Sequence, residues 1–180
     1  PGYAEEMKTP LGSHGLHETY LGKGEKFSGI LNGCDYDEWN PETDPHLPAN
    51  FNVSDLTGKK QCKQELQRLF GFPESSSVPL IGLVSRLTKQ KGFDYLMPAM
   101  PEILALYAQV IVLGSGELWI ANAFDQLQQK FPKKLGWYNG YNNELAHLIE
   151  AGSDMFLMPS LYEPCGLNQM YSLRYGTLPI

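Results

Sequence analysis

The stretch Pro79-Leu80-Ile81-Gly82-Leu83-Val84-Ser85 is a continuous apolar run with no helical spacing, which predicts a strand buried on both faces. A second such run, Gln109-Val110-Ile111-Val112-Leu113, leads into Gly114-Ser115-Gly116, and between the two lies helical spacing over Gly92–Tyr107. Within that helix Pro98 and Pro101 are expected at a start or a break, because proline removes an interior hydrogen bond. The alternation continues outward. Glu117–Lys130 reads as helix, Leu135–Tyr138 as a short strand, Asn143–Ala151 as helix and Asp154–Met158 as a strand. Gly166–Tyr175 reads as helix and Thr177–Ile180 as the start of a fifth strand. On the other side, Gly58–Phe70 places Cys62, Leu66, Leu69 and Phe70 near one helical face, with Gly71 as a stop. Apolar strands alternating with helices predict an α/β fold: a Rossmann-like, doubly wound parallel sheet covered on both faces. Residues 51–180 form this domain, truncated at its C-terminus. Residues 1–50 are rich in turn residues such as Asn32-Gly33 and Asn40-Pro41 and read as an irregular interdomain connector, with one short strand at Phe27–Leu31.

Composition narrows the function classes. Of 180 residues, 14 are Lys or Arg and 20 are Asp or Glu, for a net charge of −6, which gives no footprint for nucleic acid or an anionic membrane. No apolar run approaches the ~18–20 residues of a membrane span. Three scattered cysteines (Cys34, Cys62, Cys165) argue against a disulfide framework or a zinc site and fit a reducing compartment. The chain opens at Pro1 and stops at Ile180 inside an apolar run, so both ends read as cuts.

In a doubly wound sheet the ligand lies beyond the carboxyl ends of the strands. After the first strand, Arg86 and Lys91 share one short loop feeding a helix start. Two cations with no carboxylate partner evident, plus a helix dipole, suit a diphosphate; a solvated basic loop is the alternative. Gly114-Ser115-Gly116 is half of a dinucleotide fingerprint, but Trp119 stands where the third glycine belongs, so a structural turn is the better reading. Tyr141, just past the third strand, would present its ring to a base or else pack at the surface. His147 reads as packed or solvated. After the fourth strand, Glu163 is followed by Pro164 and a helix start whose first N–H groups, from Cys165, Gly166 and Leu167, are unpaired donors for hydroxyl or phosphate oxygens. Glu163 is a single carboxylate, so the paired-carboxylate chemistry of glycosidases has no support. Cys165 has no histidine or cationic neighbour in sequence and reads as a small packed thiol.

Taken together, these segments resemble the glycogen/starch synthase family over nearly the whole chain. The resemblance rests on Gly29 to Asp35 with Trp39-Asn40-Pro41 and Thr43-Asp44, Ser85 to Thr88 with Gln90-Lys91-Gly92, and Leu113 to Gly116. It continues through Leu157 to Ser160, Glu163 to Gln169, and Arg174-Tyr175-Gly176-Thr177. It implies one half of a two-domain GT-B glycosyltransferase, in which two Rossmann-like domains face across a cleft and the glucan lies largely against the N-terminal domain of the same full-length chain. It implies glucose transfer from ADP-glucose to the non-reducing end of an α-1,4-glucan with retention, without metal or cofactor. The attack would come from the front face, with the leaving phosphate accepting the acceptor's proton. By resemblance, Arg86 and Lys91 contact the diphosphate, Glu163 binds the donor glucose, and N–H groups from Cys165, Gly166, Leu167 and Asn168 hold sugar and phosphate. Tyr141 would stack on the base. A cytoplasmic (bacterial) or plastid location follows from the family.

Two departures stand out: Leu161-Tyr162 replaces the family's usual Arg-Phe, and Cys34 replaces an aliphatic residue as a small buried substitute. Two family elements are expected beyond the chain: a Lys-Thr-Gly-Gly-Leu-like donor loop in the N-terminal domain and a Gly-Gly turn after Ile180. Other retaining transferases of the sucrose or trehalose-phosphate synthase type remain alternatives, though Glu163-Pro164-Cys165-Gly166-Leu167 and Asn32-Gly33-x-Asp35 favour the glucan synthases. A catalytically silent carbohydrate- or nucleotide-binding subunit is a further alternative, against which the retention of Arg86, Lys91 and Glu163 counts.

Overall fold

The computed structural model describes residues 2–180. The chain divides into two compact units, the first ending at Gly33 and the second Cys34–Ile180. The first unit carries two short helices, α1 (Gly2–Glu6) and α2 (His17–Leu21), and a 3₁₀ turn at Gly24–Lys26, where sequence reading expected irregular chain. Tyr20 stacks on Phe27 with ring centroids 4.9 Å apart. The strand expected at Phe27–Leu31 does not form: that stretch is extended but unpaired, and Ile30 and Leu31 are exposed. A strand needs a neighbour to take up its backbone groups, and none of the described residues supplies one.

The second unit holds α3 (Thr57–Leu69), β1 (Leu80–Leu87), α4 (Phe93–Ala105), β2 (Gln109–Gly116) and α5 (Leu118–Lys130). They are followed by β3 (Leu135–Asn139), α6 (Asn143–Gly152), β4 (Met155–Phe156), α7 (Leu167–Arg174) and β5 (Leu178–Pro179). The sheet order is β3-β2-β1-β4-β5 and every pairing is parallel, so the doubly wound α/β prediction holds. Residues 34–50, grouped by sequence with the connector, belong to this unit and send Leu47 into its core.

The apolar runs divide by parity between the two faces of the sheet. Leu80, Ile111, Leu113 and Phe156 pack with Cys62 and Leu66 of α3 and Leu145 and Ile149 of α6. Ile81, Leu83, Val110 and Val112 pack on the other face with Phe93, Met100 and Leu104 of α4 and Ile120 and Phe124 of α5. That two-sided burial is why β1 and β2 show no polar alternation.

Two expectations need correction. Pro98 and Pro101 both sit inside α4 rather than at an end. They lie on its solvent side, where water can take up the carbonyls that lose an N–H partner, while Phe93, Leu96, Met100 and Leu104 hold the opposite side in the core. The fourth strand is shorter than Asp154–Met158, yet its backbone bonds run past the ladder: Asp154 N–H donates to Leu80 C=O, Leu157 to Gly82 and Met158 to Ile180, each at 2.8 Å. Among the described residues no helix is long and apolar enough to cross a membrane.

Candidate active site

Strand order reverses between β1 and β4, because β2 continues the sheet on one side of β1 while β4 continues it on the other. Such a switch point opens a crevice at the carboxyl ends of the two strands. Here the loops after β1 and β4 are clamped together. Gly92 adopts φ 77°, and a Cβ there would stand 1.8 Å from Pro159 O, so both the turn and the close approach require glycine. Leu161 N–H donates to Gln90 C=O at 3.0 Å, and the Gln90 side-chain amide donates to Tyr162 C=O at 3.2 Å. Lys91 Nζ then reaches Glu163 Oε2 at 2.5 Å, and Ser160 Oγ donates to the same oxygen at 3.1 Å.

A cavity of about 410 Å³ opens above these loops. All eight sequence-predicted site residues line it: Arg86, Lys91, Tyr141, Glu163, Cys165, Gly166, Leu167 and Asn168. Ser85, Gly114 and Ser115 add small residues to its wall. Arg86 is exposed and its guanidinium has no ion-pair partner among the described residues, so its charge is available to a ligand. Tyr141 is 85% exposed, with its hydroxyl 3.3 Å from Asn143 Oδ1, so it is not a packed surface tyrosine. α7 begins after Gly166, which adopts φ 72° and lacks any side-chain cap, leaving the helix N-terminus open to the cavity.

A sequence profile for the family described as glycosyl transferases group 1 matches residues 78–180. The chain belongs to that family. It is 59% identical over 179 residues to glycogen synthase 1 of Geobacter sulfurreducens and 49% identical over 180 residues to glycogen synthase of Aeromonas salmonicida. These matches take in 99% and 100% of this chain but 36% and 37% of those proteins. The catalytic domain of starch synthase IV from Arabidopsis thaliana, solved bound to ADP and acarbose, superposes with a TM-score of 0.93 at 42% identity. That match covers 99% of this chain and 37% of the starch synthase chain. The chain thus spans little more than a third of the relatives it matches.

In this group 1 glycosyl transferase domain the electrostatics centre on Glu163. Partial burial works to raise its pKa, but the hydrogen bond and charge of Lys91, the Ser160 hydroxyl and the Gly166 backbone together bring it below the ordinary carboxylate value. Glu163 is therefore an ionised acceptor near neutrality. Two expectations change here. Lys91 does have a carboxylate partner, so its charge is shared with Glu163 before any ligand arrives. Of the three donors expected in the first turn, only Leu167 lies in it: Gly166 is the residue capping the helix, its N–H turned to Glu163, and Cys165 precedes it. Two cysteine expectations change as well: Cys165 is exposed at the cavity wall instead of packed, and Cys34 is half-buried rather than buried. His147 is packed, fully buried against Asp44 and Trp39.

Sequence reasoning missed the supports of this site. Glu117 braces the turn carrying Lys91: its carboxylate accepts from Lys89 N–H at 3.2 Å and from the Trp119 indole at 2.8 Å. Asn168 ties the start of α7 to the end of β1, its side-chain amide donating to Val84 C=O at 3.0 Å. The only advance signal for Glu117 was its place directly after Gly114-Ser115-Gly116, which was expected to be a turn but forms the end of β2 paired with Ser85–Leu87.

Proposed function

We propose that this chain is the donor-holding part of a glycogen (starch) synthase. The enzyme would transfer glucose from ADP-glucose to the non-reducing end of an α-1,4-glucan with retention of configuration. The observation that carries the reading is the convergence, in one cavity at the β1/β4 switch point, of Arg86, Lys91, Glu163 and the open N-terminus of α7. Support comes from the relatives that share this stretch, which are glycogen synthases, and from the starch synthase whose structure holds ADP and acarbose.

On this reading Arg86 and Lys91 neutralise the diphosphate as charge develops on the leaving nucleotide. Lys91 turns from Glu163 toward the phosphate when donor enters, and Glu163 is then free to accept a hydroxyl of the donor glucose. N–H groups at the start of α7, from Cys165 to Asn168, hold phosphate and sugar oxygens. The ring of Tyr141 lies against the base. Catalysis is positioning and charge stabilisation, and no residue acts as a covalent nucleophile. The glucan is seated mainly by the N-terminal domain of the full-length protein, and the enzyme works in bacterial cytoplasm or plastid stroma. The test is transfer of labelled glucose to glycogen by the full-length protein, with ADP-glucose and UDP-glucose compared as donors. Transfer at a kcat/KM higher for ADP-glucose is expected. Transfer to sucrose or trehalose-phosphate precursors instead, or none from either donor, would refute the reading.

A further inference from the structure

The helix that opens onto the cavity has little hold on the core of its own. α7 runs only from Leu167 to Arg174, and within it Ser172 is the one buried residue. A two-turn helix is not stable by itself, so its position must come from what packs against it. That role falls to the segment Tyr36–Asp44. Trp39 stacks on Tyr171 with centroids 4.0 Å apart and planes 5° from parallel, and on His147 of α6 at 3.8 Å and 9°. Two rings cannot share one indole face at such separations, so Trp39 lies between the helices. Asn40 Oδ1 accepts from Arg174 Nη2 at 2.9 Å, and the Arg174 guanidinium sits 5.1 Å from the centre of the Tyr36 ring. Asp44, fully buried, accepts from the Tyr175 hydroxyl at 2.5 Å and pairs with His147 Nδ1 at 2.8 Å. Tyr171, Arg174 and Tyr175 recur at helical spacing, so the segment grips one continuous face of α7 and its C-terminal end.

Both helices it ties together deliver their N-terminal ends to the cavity: Gly166 to Asn168 from α7, Tyr141 and Asn142 from α6. Groups that bind phosphate and sugar through a helix N-terminus must be held within a fraction of an ångström of their productive place. We propose that Trp39, supported by Asn40 and Asp44, is a positioning residue for the sugar-nucleotide site, acting through α7 without touching the donor. This rests on the reading that the cavity holds a sugar nucleotide.

The test uses the full-length protein, with ADP affinity by calorimetry, donor KM and kcat, and the melting temperature measured together. Trp39→Ala is expected to weaken ADP and to lower kcat/KM for the donor by about 10²-fold, the cost of displacing an anchor by roughly an ångström. Trp39→Phe, which keeps a stacking ring, is expected to restore most of both. Leu104→Ala, in the core under α4 on the opposite face of the sheet, is expected to lower the melting temperature while leaving ADP affinity at the wild-type value. Trp39→Ala that melts early yet binds ADP and turns over donor as wild type does would reduce the segment to a structural role and overturn the inference. Should Trp39→Ala fail to fold, Asn40→Ala removes the hydrogen bond to Arg174 together with a local one from Glu42 N–H, both exposed. A measurable loss of ADP affinity there supports the inference, and none overturns it. If the wild-type protein binds neither ADP nor UDP, the functional reading falls and this inference with it. If the wild type binds and the Trp39 and Asn40 variants bind equally well, only the inference falls.

Discussion

Arg86, at the end of β1, and Lys91, in the turn that follows, share one assigned task, yet the structure predicts that their removal is felt differently. Arg86 is exposed and has no partner among the described residues, so Arg86→Ala takes away only a contact that a ligand would make. Surface changes of that kind stay within about 0.5 kcal/mol of wild-type stability. Lys91 is different: its side chain is 19% exposed, that of its partner Glu163 24%, and the two are 2.5 Å apart. Lys91→Ala strips a mostly buried carboxylate of its main counter-charge and leaves it with Ser160 and the Gly166 backbone. Leaving such a group under-satisfied costs about 1–3 kcal/mol, and the two remaining donors put the expected loss at the low end. Both variants, in the full-length protein, should lose transition-state stabilisation of about 2.7–4 kcal/mol, or 10²–10³ in rate. The assay pairs glucose transfer with chemical denaturation of each variant. Expected is severe loss of transfer in both, with loss of stability in Lys91→Ala alone. Near wild-type transfer by either variant would refute the diphosphate assignment, and equal stability of the two would refute the ion pair as described.

Tyr141→Ala should raise the donor KM with a smaller fall in kcat, because a ring stacked on a base contributes about 1–3 kcal/mol of binding common to ground and transition states; steady-state kinetics reads this directly. Glu163→Gln should be nearly inactive in the transfer assay although isosteric, since an ionised acceptor holds a hydroxyl more strongly than an amide does. Mass spectrometry of the wild type with donor should find no glycosyl adduct on Glu163. Burial pushes the Glu150 carboxyl up to about 8, against the opposing pull of the Ser172 hydroxyl and the Lys59 charge, so the folded state holds a proton that the unfolded chain releases near pH 4.3. The sign follows: the stability linked to that proton is full below the unfolded value and is lost as pH rises toward 8. Glu150→Gln should therefore melt higher relative to wild type at pH 8 than at pH 5, and thermal melts at the two values check it.

Much of the fold could be read from residues whose burial is local. Leu80 to Val84 and Val110 to Leu113 are apolar without interruption because both sheet faces are covered, and that signal survives without any knowledge of partners. The prolines of α4 misled because their tolerance depends on which side of the helix meets water, a tertiary fact. The strand expected at Phe27–Leu31 failed for a related reason: apolar residues can be extended without a partner. In the site, Arg86, Lys91, Glu163 and the start of α7 were legible because each lies at or just beyond the carboxyl end of a strand, Arg86 within the last rungs of the β1 ladder rather than after it, and a parallel sheet brings strand ends to one edge. The Lys91–Glu163 pair was not, since the two are far apart in sequence and meet only because Gly92 lets its loop touch Pro159. The grip of Trp39 and Asp44 on α7 was invisible too: nothing in Trp39-Asn40-Pro41 announces which helix will stack on it.

Titrating ADP into the 180-residue chain while following backbone amide shifts tests most directly whether the cavity at the β1/β4 switch point is the donor site. The chain has a sheet covered on both faces and should fold and bind ADP weakly, in the ~mM range, with no glucose transfer by itself. Shifts should cluster at residues 85–92, 139–142 and 163–169. Saturable shifts centred elsewhere, or incorporation of glucose into glycogen by this chain alone, would contradict it.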